Sequence, residues 1–128
     1  MGMIILDTNF ILTCIKQGVS LFEQLGDVFP GEKVIVPEIV IEELNHLAKD
    51  MKLKMSEREA ADLSLQMIGR ESILILDMPE GKADDAIVSY ASKNTGSIVA
   101  SLDRGIKRRL KKNAKFLTIR KKKLVRWA

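Results

Sequence analysis

Short apolar runs alternate along this chain with segments whose apolar residues recur at helical spacing. The first run, Met3 to Leu6, stops abruptly at Asp7. An unbroken run of this kind suits a parallel strand buried on both faces. A helix can then run through Phe10, Ile11, Leu12 and Ile15, with Thr8 or Asn9 able to cap it. Gly18 breaks that pattern. Ser20 can start a second short helix through Leu21, Phe22 and Leu25, and Pro30-Gly31 is a turn signal. Lys33 to Val36 reads as a second strand. Pro37 opens a helix to Lys49 at the one turn where proline is tolerated. Ser56 and Glu59 have capping-box spacing and predict a helix with Ala60, Leu63, Met67 and Ile68 inward. Ser72 to Leu76 is a third strand, and Ala83 to Asn94 a further helix after a loop containing Gly81. Ser97 to Leu102 is a fourth strand, followed by Asp103 and a basic helix. Lys115 to Ile119 offers a fifth, and Arg120 to Ala128 reads as a basic tail.

Strand alternating with helix predicts an α/β domain: a parallel sheet with helices on both faces, within one domain spanning residues 1–128. Strand ends of one polarity gather on one edge, and ligands bind there, at the switch in strand order. Asp7 and Asp103 each follow a strand. With strand order 3-2-1-4-5, their strands are neighbours at the switch point. Asp84 or Asp85 opens the helix that leads into the fourth strand. The helix after Pro37 adds a fourth acid. At 100° per residue, Val40, Ile41, Leu44, Leu47 and Ala48 form its apolar face. Glu43 falls at the edge of that face, whereas Glu42 and His46 fall on the solvent side. A half-buried Glu needs a partner.

Composition narrows the chemistry. The chain is 46% hydrophobic and 30% charged, which fits a globular domain, and its 128 residues suffice for a core. No apolar run approaches the ~20 residues of a membrane span, and no secretory signal is visible. Cys14 is the only cysteine, so an internal disulfide is excluded and a cytoplasmic location is expected. One Cys and one His cannot build a Cys/His zinc cluster. Any bound metal must be held by carboxylates, which implies a hard ion such as Mg²⁺ or Mn²⁺.

Two carboxylates ~4 Å apart repel by roughly 4 kcal/mol at an effective dielectric of 20, and a divalent cation reverses the sign of that sum. The charge distribution points to a polyanion. Residues 103–128 hold 12 Lys or Arg against one acid, a net +11, while the preceding 102 residues hold 9 against 16, a net −7. An acidic cluster beside a basic end reads as metal-assisted phosphodiester hydrolysis of a nucleic acid.

The succession Asp7-Thr8-Asn9, Glu43-Leu44, Asp84-Asp85 and Asp103-Arg104, each in its structural setting, resembles the PIN-domain family. The stretches Lys82 to Ala86 and Ser101 to Leu110 are most similar to its small-subunit ribosomal RNA-processing nucleases and to archaeal stand-alone members. The resemblance implies a three-layer α/β/α fold with a central parallel sheet in order 3-2-1-4-5. It implies a Mg²⁺- or Mn²⁺-dependent endoribonuclease with Asp7, Glu43, Asp85 and Asp103 as catalytic residues. Asp84 joins these four as a metal ligand, and Thr8 and Asn9 support the site. Between the adjacent acids, the helix angle favours Asp84 and the family pattern favours Asp85, which is preferred.

RNA contacts are expected from Arg104, Lys107, Arg108, Lys111 and Lys112 on the basic helix and from Arg120, Lys121, Lys122 and Lys123 in the tail. Two biologies fit: ribosomal RNA processing with an assembly factor as partner, or a toxin RNase with an antitoxin. A homodimer is a further expectation, and a non-catalytic RNA-binding module is the alternative outside enzymology. No membrane partner is expected.

Overall fold

The central strand β1 (Met3–Leu6) lies between β2 (Lys33–Pro37) and β4 (Ile98–Ala100) in the computed structural model, which describes residues 2–79, 81–110 and 113–127. Its pairing is parallel on both sides, with Ile5 opposite Ile35 and Val99. The edge strand β3 (Leu74–Leu76) adds to β2, and β5 (Lys115–Arg120) adds to β4, both parallel. These five strands have the expected order 3-2-1-4-5.

Alternation along β1 assigns the helices to two layers. Ile4 and Leu6 point to the face covered by α1 (Thr8–Gln17), α2 (Leu21–Val28), α3 (Glu38–Lys49) and α4 (Met55–Arg70). Ile5 points to the opposite face, where Ile87 and Ala91 of α5 (Ala83–Lys93) and Ile106 and Leu110 of α6 (Arg104–Leu110) are buried. This is the three-layer α/β/α arrangement, and all three β1 residues are fully buried. Cys14 is core filler, and burial pushes its thiol up to about 12, so it is not a nucleophile.

Three expectations need correction. First, neither Thr8 nor Asn9 caps α1. Asp7 is the N-cap, its carboxylate accepting from the Thr8 amide at 2.9 Å. Second, the capping box at Ser56 does not form. The Lys54 carbonyl already accepts from Glu57 and Arg58, so α4 begins at Met55 and Ser56 lies inside it. The buried face of α4 is Ala60, Ala61, Ser64 and Ile68, and Leu63 is exposed. The small residues let α4 approach its neighbours closely, and Ser64 satisfies its hydroxyl on the Ala60 carbonyl.

Third, residues 120–126 are not a tail. Lys123–Arg126 form a sixth strand, β6, antiparallel to β5, with Ile119 opposite Leu124 and Arg120 opposite Lys123. Leu124 is buried in the main core and anchors the hairpin. Gln24 of α2 clamps it from the side: its Oε1 accepts from the Leu124 amide at 2.9 Å and its Nε2 donates to the Lys122 carbonyl at 3.1 Å.

Candidate active site

The cleft forms where β1 and β4 end side by side. Leu6 pairs with Ala100, and the next amide, that of Asp7, still donates to the Ala100 carbonyl at 3.0 Å. That last ladder bond holds the Asp7 side chain at the carboxyl edge of the sheet. One carboxylate oxygen, Oδ1, accepts from Thr8, and the other, Oδ2, accepts from the Ser101 hydroxyl at 2.8 Å. Ser101 Oγ also accepts from the Asp103 amide at 3.0 Å. A single buried hydroxyl thus ties the ends of two strands together.

The other side of the cleft comes from α3. Glu43 is half-buried and Glu42 exposed, as the helix angles predict. The Thr8 hydroxyl donates to Glu43 Oε1, which supplies the partner that a half-buried Glu requires. Asp103 caps α6, its Oδ1 accepting from Gly105 at 2.6 Å and more weakly from Ile106. A side chain at position 105 would bring its Cβ within 2.9 Å of that oxygen, so glycine suits this tight cap. Asp84 accepts from the Asp85 amide at 2.9 Å in the first turn of α5.

Asp7, Thr8, Asn9, Glu43, Asp84 and Asp103 line one open cleft of about 640 Å³, with Glu42, His46 and Lys82 also in its lining. The cleft acids feel one another through Asp7. Burial pushes its carboxyl above the usual range, the Ser101 hydroxyl and Thr8 amide pull it back, and Glu43 and Asp103 push it up again.

The structure separates the adjacent acids of α5. Asp84 lines the cleft. Asp85, the preferred residue of the pair, instead forms an ion pair with Arg109 of α6 at 2.9 Å, outside the cleft lining. The physical reason is the packing of α5 beside α6, which offers the second acid a guanidinium that local sequence does not reveal.

The basic residues spread out. Arg104 and Arg108 are exposed on α6. The Lys107 ammonium sits 4.4 Å over the Trp127 ring, and Lys107 is not in the cleft lining. Lys111 and Lys112 lie outside the described residues. Arg120 to Lys123 are exposed on the hairpin.

Ser101, Gln24 and Arg109 hold places in the structure that the sequence pattern does not assign. For Ser101 a signal exists: a polar residue ends an otherwise apolar strand, two positions before an acid. For Gln24 and Arg109 the partners are too distant in sequence for any local pattern.

The donor set fits a hard cation: the cleft lining holds five acids, Asp7, Glu42, Glu43, Asp84 and Asp103, against one imidazole, His46, and neither ion pair found among the described residues involves any of them. Among those residues, no three Asp, Glu, His or Cys side chains converge as a ready-made coordination group. The site therefore suits a hard divalent cation held by few carboxylates and completed by water and substrate oxygens, not an all-protein cage.

A family model described as a PIN-like domain matches residues 4–122. The chain is 30% identical over 122 residues to Ribonuclease VapC4 of Methanocaldococcus jannaschii, covering 94% of this chain and 92% of that protein. The solved PIN domain endonuclease Utp24 superposes with a TM-score of 0.77 at 26% identity, covering 96% of this chain and 89% of that one. VapBC2 from Rickettsia felis, solved bound to a DNA fragment from its promoter, shares the fold at a TM-score of 0.63 and 19% identity, covering 92% of this chain and 98% of that one.

Proposed function

Because the chain belongs to the PIN-like domain family, we propose that it is an endoribonuclease that hydrolyses RNA phosphodiester bonds with Mg²⁺ or Mn²⁺ held by Asp7, Glu43, Asp84 and Asp103. The observation that carries the reading is that these four acids, from the ends of β1 and β4 and from α3 and α5, line one cleft. When bound there, a divalent cation supplies Lewis acidity, easing ionisation of the attacking water and neutralising charge on the phosphate.

The chain's own residues do the rest. Ser101 fixes the Asp7 carboxylate, and Thr8 fixes that of Glu43, so both are oriented before substrate arrives. Lys82 in the cleft lining supplies a cation for a substrate phosphate. Asn9, exposed in the same cleft, offers an amide to the ribose–phosphate backbone.

We place the activity in RNA processing, on the likeness to Utp24 and on the basic carboxyl end. The likeness to VapC4 favours a second setting, a toxin with an antitoxin partner. A small gene encoding a binding partner immediately beside this one decides for the toxin.

Purified protein incubated with single-stranded and structured RNA should yield internal cuts with Mn²⁺ or Mg²⁺ and none with chelator. Binding of metal and RNA without cleavage under either ion would identify a non-catalytic RNA-binding module instead. Within the active reading, Glu43→Gln should lower the cleavage rate by about 10²-fold, the scale for removing one preorganised site group. Glu42→Gln should change it by less than about threefold, since Glu42, although it also lines the cleft, is exposed, and the Thr8 hydroxyl donates to Glu43. Equal losses would mean that Glu42 serves the reaction as much as Glu43 does.

A further inference from the structure

The turn between β5 and β6 is built from the wrong residues for stability. Arg120 pairs with Lys123, so the loop is two residues long, Lys121 and Lys122. Both have positive φ, 51° and 62°. Such a loop strongly favours Asn-Gly or Asp-Gly, because a Cβ in the left-handed region is strained. Here two lysines occupy it, flanked by Arg120 and Lys123, and four like charges stand at one tip. Neither ion pair found among the described residues neutralises any of them. Gln24 holds the strained tip from both sides of Leu124 and Lys122.

Register places this tip with respect to the cleft. Ala100, the last residue of β4, pairs with Leu117, so Thr118 to Arg120 continue beyond it. Three residues extend the hairpin about 10 Å past the strand ends. β5 is parallel to β1 and β4, so it runs toward the edge that carries Asp7 and Asp103, and the bonds from Gln24 hold the tip on the α2 side of the sheet. β5 itself stands two strand spacings from β1, about 10 Å to the side.

We propose that the Lys121–Lys122 hairpin is a second RNA-backbone site, a rigid basic post that holds single-stranded RNA a few nucleotides from the bond in the cleft and so sets the direction in which the strand crosses the sheet edge. The site rests on the endoribonuclease reading, but its binding step does not require cleavage. Its chemistry is phosphate recognition without base readout: lysines act as point charges on a flexible stem, mounted on a clamped turn.

The test separates charge from fold. Lys121→Asn with Lys122→Gly installs the residues that the turn favours and removes two charges. The double variant should melt higher by about 3 °C or more, since two strained positions are relieved. Its affinity for a fluorescein-labelled single-stranded RNA 15-mer should fall. At about 0.7 per phosphate contact, the log-affinity against log-salt slope should shrink by about 1.4, which is roughly 25-fold at 0.1 M salt relative to 1 M. RNAs shortened from one end only should erase the difference between parent and variant, and those shortened from the other end should keep it.

Unchanged affinity and slope in the stabilised variant would overturn the proposal, as would a loss insensitive to which end is trimmed. A parent that binds RNA with the hairpin slope but never cleaves would remove the nuclease reading and leave the post. A parent that cleaves, with a variant that binds as well as it does, would remove the post and leave the nuclease.

Discussion

Asp7→Asn should fold like the parent, melt no lower without metal, and cleave RNA about 10³-fold more slowly. The rate follows from losing one charged ligand at the junction of β1 and β4, an effect of several kcal/mol at about 1.4 kcal/mol per tenfold. The stability follows from the environment of the carboxylate. Asn caps helices as well as Asp does, so the Thr8 amide keeps an acceptor, and the Asn NH₂ then donates to the Ser101 hydroxyl oxygen in place of accepting from it. Burial is the largest influence on Asp7 and raises its pKa, with Glu43 and Asp103 adding to the rise. The folded protein then binds that proton more tightly than the unfolded chain. The resulting stabilisation is fully present below the unfolded carboxylate value of about 3.9 and is lost as pH rises through the folded value.

Metal-free parent should therefore lose melting temperature relative to Asp7→Asn as pH is raised from about 4 to 8. Thermal melts of both proteins in chelator, across that range, measure the difference and cancel the other titrating groups. If the variant cleaves RNA at the parent rate, Asp7 is a helix cap and nothing more. If its relative stability falls as pH rises, the carboxylate is stabilising and the cleft is not the repelling cluster described above.

The parts of this protein that sequence reveals are those in which one residue pattern has one physical solution. Met3 to Leu6 reads as a buried strand because four consecutive apolar residues suit no solvated face, and β1 is the centre of the sheet. Glu43 reads as half-buried because helix geometry puts it between Val40 and Leu47. The hairpin was illegible for the opposite reason. In Lys123-Leu124-Val125-Arg126 the charges at both ends outweigh the single buried Leu124, and the turn has no Asn or Gly to announce it. Ser56 carried a correct capping signal that lost to its context, since the backbone of Lys54 had already started α4. Ser101 is not legible in the sequence because its importance lies in two partners, Asp7 and Asp103, one of them 94 residues away.

Asp84 and Asp85 pose the sharpest division, because neighbours of identical chemistry should behave oppositely. Asp84 lines the cleft with Asp7, Glu43 and Asp103, while Asp85 is paired to Arg109 with nearly half of each side chain exposed. Both favour the start of α5 through the helix dipole, so neither substitution should unfold the protein. Asp84→Asn should lower cleavage by about 10²-fold, with a weaker dependence of rate on Mn²⁺ concentration.

Asp85→Asn should leave the rate within about threefold. Its cost should be a small stability loss, about 0.2–1 kcal/mol, because an exposed pair is screened by water and salt. A double-mutant cycle with Arg109→Ala should return a coupling of the same size, which would locate the role of Asp85 in fastening α5 to α6. Cleavage assays on the two single variants decide the matter. A large loss at Asp85 with little at Asp84 would mean that RNA or metal draws Asp85 away from Arg109 into the cleft, and the family pattern would then outweigh the helix angle.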